Sequence, residues 1–185
     1  MLGSLVGLLL GQSSTAKNVL LDSIMNAVTA IPPVAYLIIF IGIWGNSIPT
    51  MMVSLTASLI LRMVKLVKTR TEMEMGKAYI MCAVSSGASR FRILFGHVLP
   101  NIGKEIVRFL CLSCAEMIMA ISGFSFIGLT LGDDVIDWGS MLSSARSYLG
   151  MAPMLLFYPI LFIFLSTLSF NILGKKLEKE DRADA

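Results

Sequence analysis

Apolar positions in this 185-residue chain fall into long unbroken runs rather than into strand-like alternation. No charged residue occurs between Ser23 and Leu61, nor between Ser147 and Gly174. About 20 mostly apolar residues let a helix cross a bilayer core. The first run is too long for one helix, and Gly45-Asn46-Ser47 with Pro49 divides it. The pattern predicts spans at 24–44 and 48–66, at 104–127 with Glu116 as the only acid well inside a span, and at 152–173. Pro32-Pro33 predicts a kink or an irregular start in the first of them. Leu2–Leu10 is apolar but too short to cross alone, and reads as the end of a helix. The expectation is an all-α, polytopic transmembrane protein with about four full spans plus a partial N-terminal one.

The polar segment between the second and third spans carries a different pattern. Met75, Ala78, Tyr79, Cys82 and Ser86 recur at the spacing of one helix face. Ser85-Ser86-Gly87 punctuates that helix, and Gly87 predicts a turn with positive φ or a close backbone approach. Ser89 can cap a second short helix, with Phe91, Leu94, Phe95 and Val98 apolar and Arg90 and Arg92 polar. Leu99-Pro100 opens the next span. Such a hairpin, at about 71–98, either lies on anionic lipid or docks a cytoplasmic partner. In the docking case Tyr79, Phe91 and Phe95 are candidates to fill the partner's groove.

Charge sets the sidedness. Arg62, Lys65, Lys68, Arg70, Lys77, Arg90, Arg92, Lys104 and Arg108 crowd into 62–108, and Lys175, Lys176, Lys179 and Arg182 into the tail. The loop 128–150 has only Arg146, beside Asp133, Asp134 and Asp137. Basic residues stay on the cytoplasmic side. The hairpin, the C-terminus and a turn at Lys17 are therefore expected inside, and 45–47 and 128–150 outside. The division is a transmembrane domain at 1–174 and a charged cytoplasmic tail at 175–185. Composition agrees: 56% of residues are hydrophobic, 15% are charged, and mean hydropathy is +0.80. That excludes a disordered chain and is too apolar for a soluble domain of this length. A net charge of +3 gives no reason to invoke nucleic acid.

Catalytic and metal chemistry finds little footing. Cys82, Cys111 and Cys114 lie in or beside apolar segments and read as small buried residues, although Cys111 and Cys114 form C-x-x-C. A serine protease would need His97, the only histidine, as the base for Ser125. About 28 helical residues at 1.5 Å each would hold those two apart. The pattern G-x-x-x-x-G-K-[ST] does not occur, so no ATP site is encoded here. Asp133, Asp134 and Asp137 are a poor set for a soft or borderline metal, and read as a solvated acidic loop. No metal site is expected. Glu116 is an intramembrane acid and so a candidate pathway residue, with a protonated or paired helix contact as the alternative. Ser125 is a second candidate for pathway lining.

Three ordered blocks resemble one family. Met81-Cys82-Ala83, Gly87 and His97-Val98-Leu99-Pro100 keep the spacing of the signature E-A-A, three residues, G, nine residues, I-x-L-P, with Met81 at the glutamate position. Phe124 to Leu129, Asp137 to Leu142 and Arg146 to Leu149 form the second block. Ala152-Pro153, Tyr158-Pro159 and Leu168 to Gly174 form the third. The chain resembles the permease subunit of bacterial ABC importers, in the dipeptide, oligopeptide and nickel branch. Lys175-Lys176-Leu177-Glu178 departs from that branch's usual ending. Met1 falls inside what resembles the family's second membrane helix, so the chain reads as N-terminally short.

The resemblance implies a non-enzymatic permease subunit in the bacterial inner membrane, forming part of a translocation pathway for peptides or nickel and metal chelates. Expected partners are a second permease subunit, two ATP-binding subunits, an extracytoplasmic substrate-binding protein and membrane lipid. No cofactor is expected on this chain itself, with ATP-Mg on the partners. The hairpin would be the coupling element, through Tyr79, Cys82, Ala83, Gly87, Ala88, Phe91, Phe95 and Pro100. The alternative is a truncated, transport-incompetent or regulatory membrane subunit of the same complex.

Overall fold

The structure is a computed structural model that describes residues 2–12, 19–129 and 135–183. The expected turn at Lys17, the acidic loop residues Asp133 and Asp134, and the side chains of Lys179 and Arg182 lie outside the described residues. All regular structure among the described residues is helical. In chain order it comprises α1 (Leu2–Gln12), α2 (Val19–Ala30), α3 (Pro33–Trp44), α4 (Ile48–Met75) and α5 (Ala78–Ser85). There follow α6 (Arg90–Ile93), a π turn (Leu94–Val98), α7 (Leu99–Phe126), α8 (Trp138–Ala145), a 3-10 turn (Arg146–Tyr148) and α9 (Met154–Ala183).

Three helical stretches are long and apolar enough to cross a membrane: Ile48–Met75, Arg90–Phe126 and Met154–Leu177. A fourth crossing arises if the broken pair α2 and α3 counts as one. Prolines make that break. Pro32 is extended at φ −60 and ψ 147, and Pro33 starts α3, where its missing N–H leaves no hydrogen bond unmade. Gly45, at φ 80, ends α3 and donates its N–H to the Ile41 carbonyl at 2.8 Å.

One expectation needs correction. Leu99-Pro100 does not open a separate span: helix continues from Arg90 to Phe126. Pro100 cannot donate to the carbonyl four residues back. The ladder adapts by slipping one residue, so that Leu99 N–H reaches the Leu94 carbonyl. A π turn thus absorbs a proline that would otherwise break the helix.

The chain divides into two compact units. The first comprises Met1–Ile31, Ser58–Phe109 and Leu177–Ala185. Its core is Leu8, Met63, Val67, Ile80, Ile93, Leu94, Val98 and Ile102. Gly3, Gly7 and Gly11, four residues apart, lay the backbone of α1 against Met63, Val67 and Thr71 of α4. Small residues at this spacing let membrane helices approach closely where no hydrophobic force between helices is available. Polar links add to the packing. Lys68, buried on α4, donates to Asp22 at 2.5 Å and Glu72 at 2.7 Å, and Lys65 donates to Thr29 Oγ1 at 3.1 Å. The two carboxylates compensate a lysine that could not remain buried alone.

The second unit comprises Pro32–Ala57 and Leu110–Lys176. Leu37, Met51 and Phe124 form its core, with Ile41, Ala120 and Leu129 against them. Asp137 caps α8, its Oδ1 accepting the backbone N–H groups of Gly139 and Ser140. Trp138 stacks on Phe162 of α9 with centroids 6.1 Å apart, and the Arg146 guanidinium sits over the Phe126 ring. Only 11% of the apolar stretch of α9 is buried within the chain. Its remaining apolar surface suits lipid or a neighbouring membrane helix.

Candidate coupling hairpin

The hairpin begins where α4 ends. Gly76 and Lys77 separate it from α5, which runs from Ala78 to Ser85. Gly87 has φ +79 with open space around its missing Cβ, so conformation rather than crowding requires glycine there. The Ala88 N–H closes the turn on the Ala83 carbonyl at 3.1 Å. Ser89 then caps α6 as expected, its Oγ accepting the Arg92 N–H at 3.3 Å.

Burial sorts the hairpin into two faces. Ile80, Ile93, Leu94 and Val98 are buried in the core of the first unit, with Ala88 packed against it. Met81, Cys82, Val84, Gly87, Phe91 and Pro100 are exposed, and Ala83 is half-buried. Met81 is 61% and Phe91 71% exposed. Lys77, Arg90 and Arg92 are exposed as well, and no acid occurs from Met75 to Lys104. The face expected from spacing is mostly the outward one, except that Met75 belongs to the end of α4.

Three aromatics expected to act together part company. Phe91 and Phe95 pack with centroids 4.4 Å apart and ring planes tilted by 32°, and line an open apolar groove with Leu5, Leu8, Leu9 and Leu94. Tyr79, itself exposed, instead directs its hydroxyl to the end of α4 and the start of α7. It donates to Glu74 Oε1 at 2.5 Å and accepts from Asn101 Nδ2 at 2.7 Å. Burial, followed by donation to the Glu74 carboxylate, raises the Tyr79 phenol above its ordinary pKa, so it stays a protonated donor. Asn101 also donates to Glu74 Oε1 at 3.2 Å, and Lys77 Nζ lies 2.7 Å from Glu74 Oε2. His97 meets the Tyr79 ring edge-on at 6.3 Å, a structural rather than a catalytic setting.

Glu74 and Asn101 were not singled out from sequence. The one available signal was that Glu74 is the last acid before thirty acid-free positions, 75–104. The glycine stripe of α1 is a second such case: its spacing is legible in the sequence, its partners on α4 are not.

The two pathway candidates sit differently. Glu116 is exposed on α7. Ser125 is completely buried, with its Oγ unpartnered among the described residues, and lies where Gly139 of α8 packs on α7. No cluster of three or more metal-ligating side chains occurs among the described residues. Cys111 is buried as expected, whereas Cys82 and Cys114 are exposed.

Comparison with known proteins supplies the family. Residues 3–179 match the binding-protein-dependent transport system inner membrane component. The chain is 32% identical over 177 residues to the glutathione transport system permease protein GsiD of Pectobacterium atrosepticum, covering 96% of this chain and 59% of that protein. GsiD of Salmonella typhimurium is 32% identical over 154 residues, which is 83% of this chain and 51% of that protein. GsiD of Escherichia coli is 31% identical over 158 residues, with 85% and 52% covered. The chain spans little more than half the length of these curated relatives. With its multi-pass helical architecture, the chain belongs to the binding-protein-dependent transport system inner membrane components, the permease subunits of ABC importers, in the peptide and nickel branch.

Proposed function

We propose that this chain forms part of the translocation pathway of an ABC importer, driven by separate ATPase subunits that dock on the hairpin at about 71–98. The observation that carries the reading is the hairpin's outward face. Met81, Val84 and Phe91 stand exposed beside Lys77, Arg90 and Arg92, with no acid from Met75 to Lys104. An apolar pocket rimmed by acids on the ATPase would complement it. Methionine at position 81 makes this part of the contact apolar, where the family signature has glutamate.

The partners are a second permease subunit, two ATP-binding subunits carrying ATP-Mg, and an extracytoplasmic binding protein. Transport proceeds by alternating access, and the C-terminus lies in the cytoplasm. The cargo we favour is a small peptide of the glutathione class, because the relatives are named for glutathione transport; nickel or a metal chelate is the competing cargo in this branch. Glu116 faces the pathway, where a polar environment spares a carboxylate the cost of lipid. Ser125 joins it only in a state where α8 moves off α7.

The test is reconstitution of the complex in proteoliposomes. The expected result is ATP-dependent uptake of labelled glutathione or a short peptide that requires the binding protein, with Met151→Cys labelled from outside and Lys77→Cys only from the cytoplasmic side. Failure of any ATPase subunit to co-purify with an inserted chain would overturn the reading. Uptake of nickel but not peptide would replace the cargo alone.

A further inference from the structure

The Glu74 carboxylate lies where three elements meet: it ends α4, and its partners come from the turn (Lys77), from α5 (Tyr79) and from the first turn of α7 (Asn101). The Glu74 side chain is only 8% exposed. Asn101 also bonds directly to the Tyr79 oxygen, so Glu74, Tyr79 and Asn101 close a triangle of hydrogen bonds. Apolar contacts such as that of Ile80 are non-directional and permit sliding. Hydrogen bonds to an ionised group are directional and about twice as strong as neutral ones.

The position of the π turn gives this triangle its consequence. Beside the apolar core that Ile80 shares with Ile102, the hairpin is joined to α7 in two ways. One is covalent, through α6 and the π turn at Leu94–Val98. A π turn is a local irregularity at which a helix bends. The other runs from Tyr79 to Asn101, which lies beyond the π turn. A push on α5 that travelled only through the chain would have to cross the π turn at Leu94–Val98. The triangle bypasses that point.

We propose that Glu74 is a positioning residue that clamps α5 to α7 through Tyr79 and Asn101, so that displacement of the hairpin by a docked ATPase reaches α7 instead of dissipating in the π turn. The proposal rests on the importer reading above, and the two fail differently. Without the clamp, the hairpin still docks and the ATPase still turns over, but hydrolysis is no longer matched to transport.

The experiment uses the importer assembled in proteoliposomes with its ATPase, second permease and binding protein. It measures complex recovery, ATP hydrolysis and cargo taken up per ATP. Glu74→Leu is expected to lower uptake per ATP about tenfold, the scale of one hydrogen bond to a charged group, while hydrolysis persists. Glu74→Gln should restore most coupling, since its amide oxygen still accepts from Tyr79 and Asn101 and only the Lys77 contact is lost. Tyr79→Phe and Asn101→Leu should each lower uptake per ATP, and the double variant should be no worse than the worse single. These two variants decide the matter if Glu74→Leu does not assemble. Wild-type uptake per ATP in Tyr79→Phe and Asn101→Leu overturns the clamp, as does a loss confined to complex recovery. A wild-type chain that recruits no ATPase overturns the importer reading, and the clamp with it.

Discussion

Gly7 of α1 lies so close to Val67 of α4 that a Cβ added to it would stand 2.7 Å from the Val67 Cβ and 2.8 Å from the Val64 carbonyl. Gly11 repeats the relation one turn on, at 2.6 Å from the Thr71 Cβ and 2.8 Å from the Lys68 carbonyl. Because backbone carbonyls bound the space, no side-chain rotation can relieve the clash. Gly7→Val is expected to push α1 off α4 at a cost of about 1–3 kcal/mol. Thermal unfolding in detergent should show the loss. Gly103→Ala, at a helical position with nothing within 4 Å, should be neutral or slightly stabilising. Equal melting of Gly7→Val and wild type would refute the close-packing account.

Gly139 is more tightly enclosed. A Cβ there would meet the Ser122 carbonyl oxygen at 2.1 Å and the Ser125 Cβ at 2.8 Å. Gly139→Ala should therefore detach α8 from α7, breaking the Trp138–Phe162 stack and opening buried Ser125 to solvent. Thiol labelling of a Ser125→Cys variant is the readout. Labelling should be slow when Gly139 is retained and fast when it is replaced by alanine, and equal rates would count against the packing.

Gly87 tests the hairpin turn. Its φ of +79 lies where an L-residue pays about 1–2 kcal/mol. A β-branched residue suffers most, whereas asparagine tolerates this region. Gly87→Val should misdirect α6 and abolish ATPase recovery in pull-downs while the chain still inserts. Gly87→Asn should keep most of the recovery. Normal recovery with Gly87→Val would remove the hairpin from the docking role.

Glu116 separates pathway from packing. Glu116→Gln keeps the polarity and removes the charge, whereas Glu116→Leu removes both. If the carboxylate faces the pathway, both variants should assemble and both should lower uptake. If it is a helix contact in apolar surroundings, leucine costs less than the acid and uptake should hold. Cargo uptake per assembled complex decides between them.

Local features of this chain were legible without coordinates. The membrane-crossing stretches of α4 and α9 start from charge-free runs and that of α7 from a run poor in charge, because desolvating a charge in lipid is costly. The Ser89 cap and the positive φ at Gly87 depend on residues within a few positions, and both are found where spacing places them. The family blocks are similarly a matter of order and spacing. The break at Pro32-Pro33 was legible for the same reason, since proline acts on its own backbone.

Tertiary structure alone decided the rest. Nothing local says that Tyr79 turns to Glu74 and to Asn101, 22 residues further on, rather than outward with Phe91. That choice depends on α4 and α7 arriving side by side, which gives a buried carboxylate its donors. The spacing of Gly3, Gly7 and Gly11 was visible in the sequence, but their partners Met63, Val67 and Thr71 lie sixty residues away along the chain. Pro100 looked like a boundary because proline removes a donor. Packing of Leu94 and Val98 into the core keeps the helix running, with its hydrogen bonds slipped to five residues. Burial of Ser125 is likewise set by Gly139, a residue of another helix whose missing side chain lets α8 close over it.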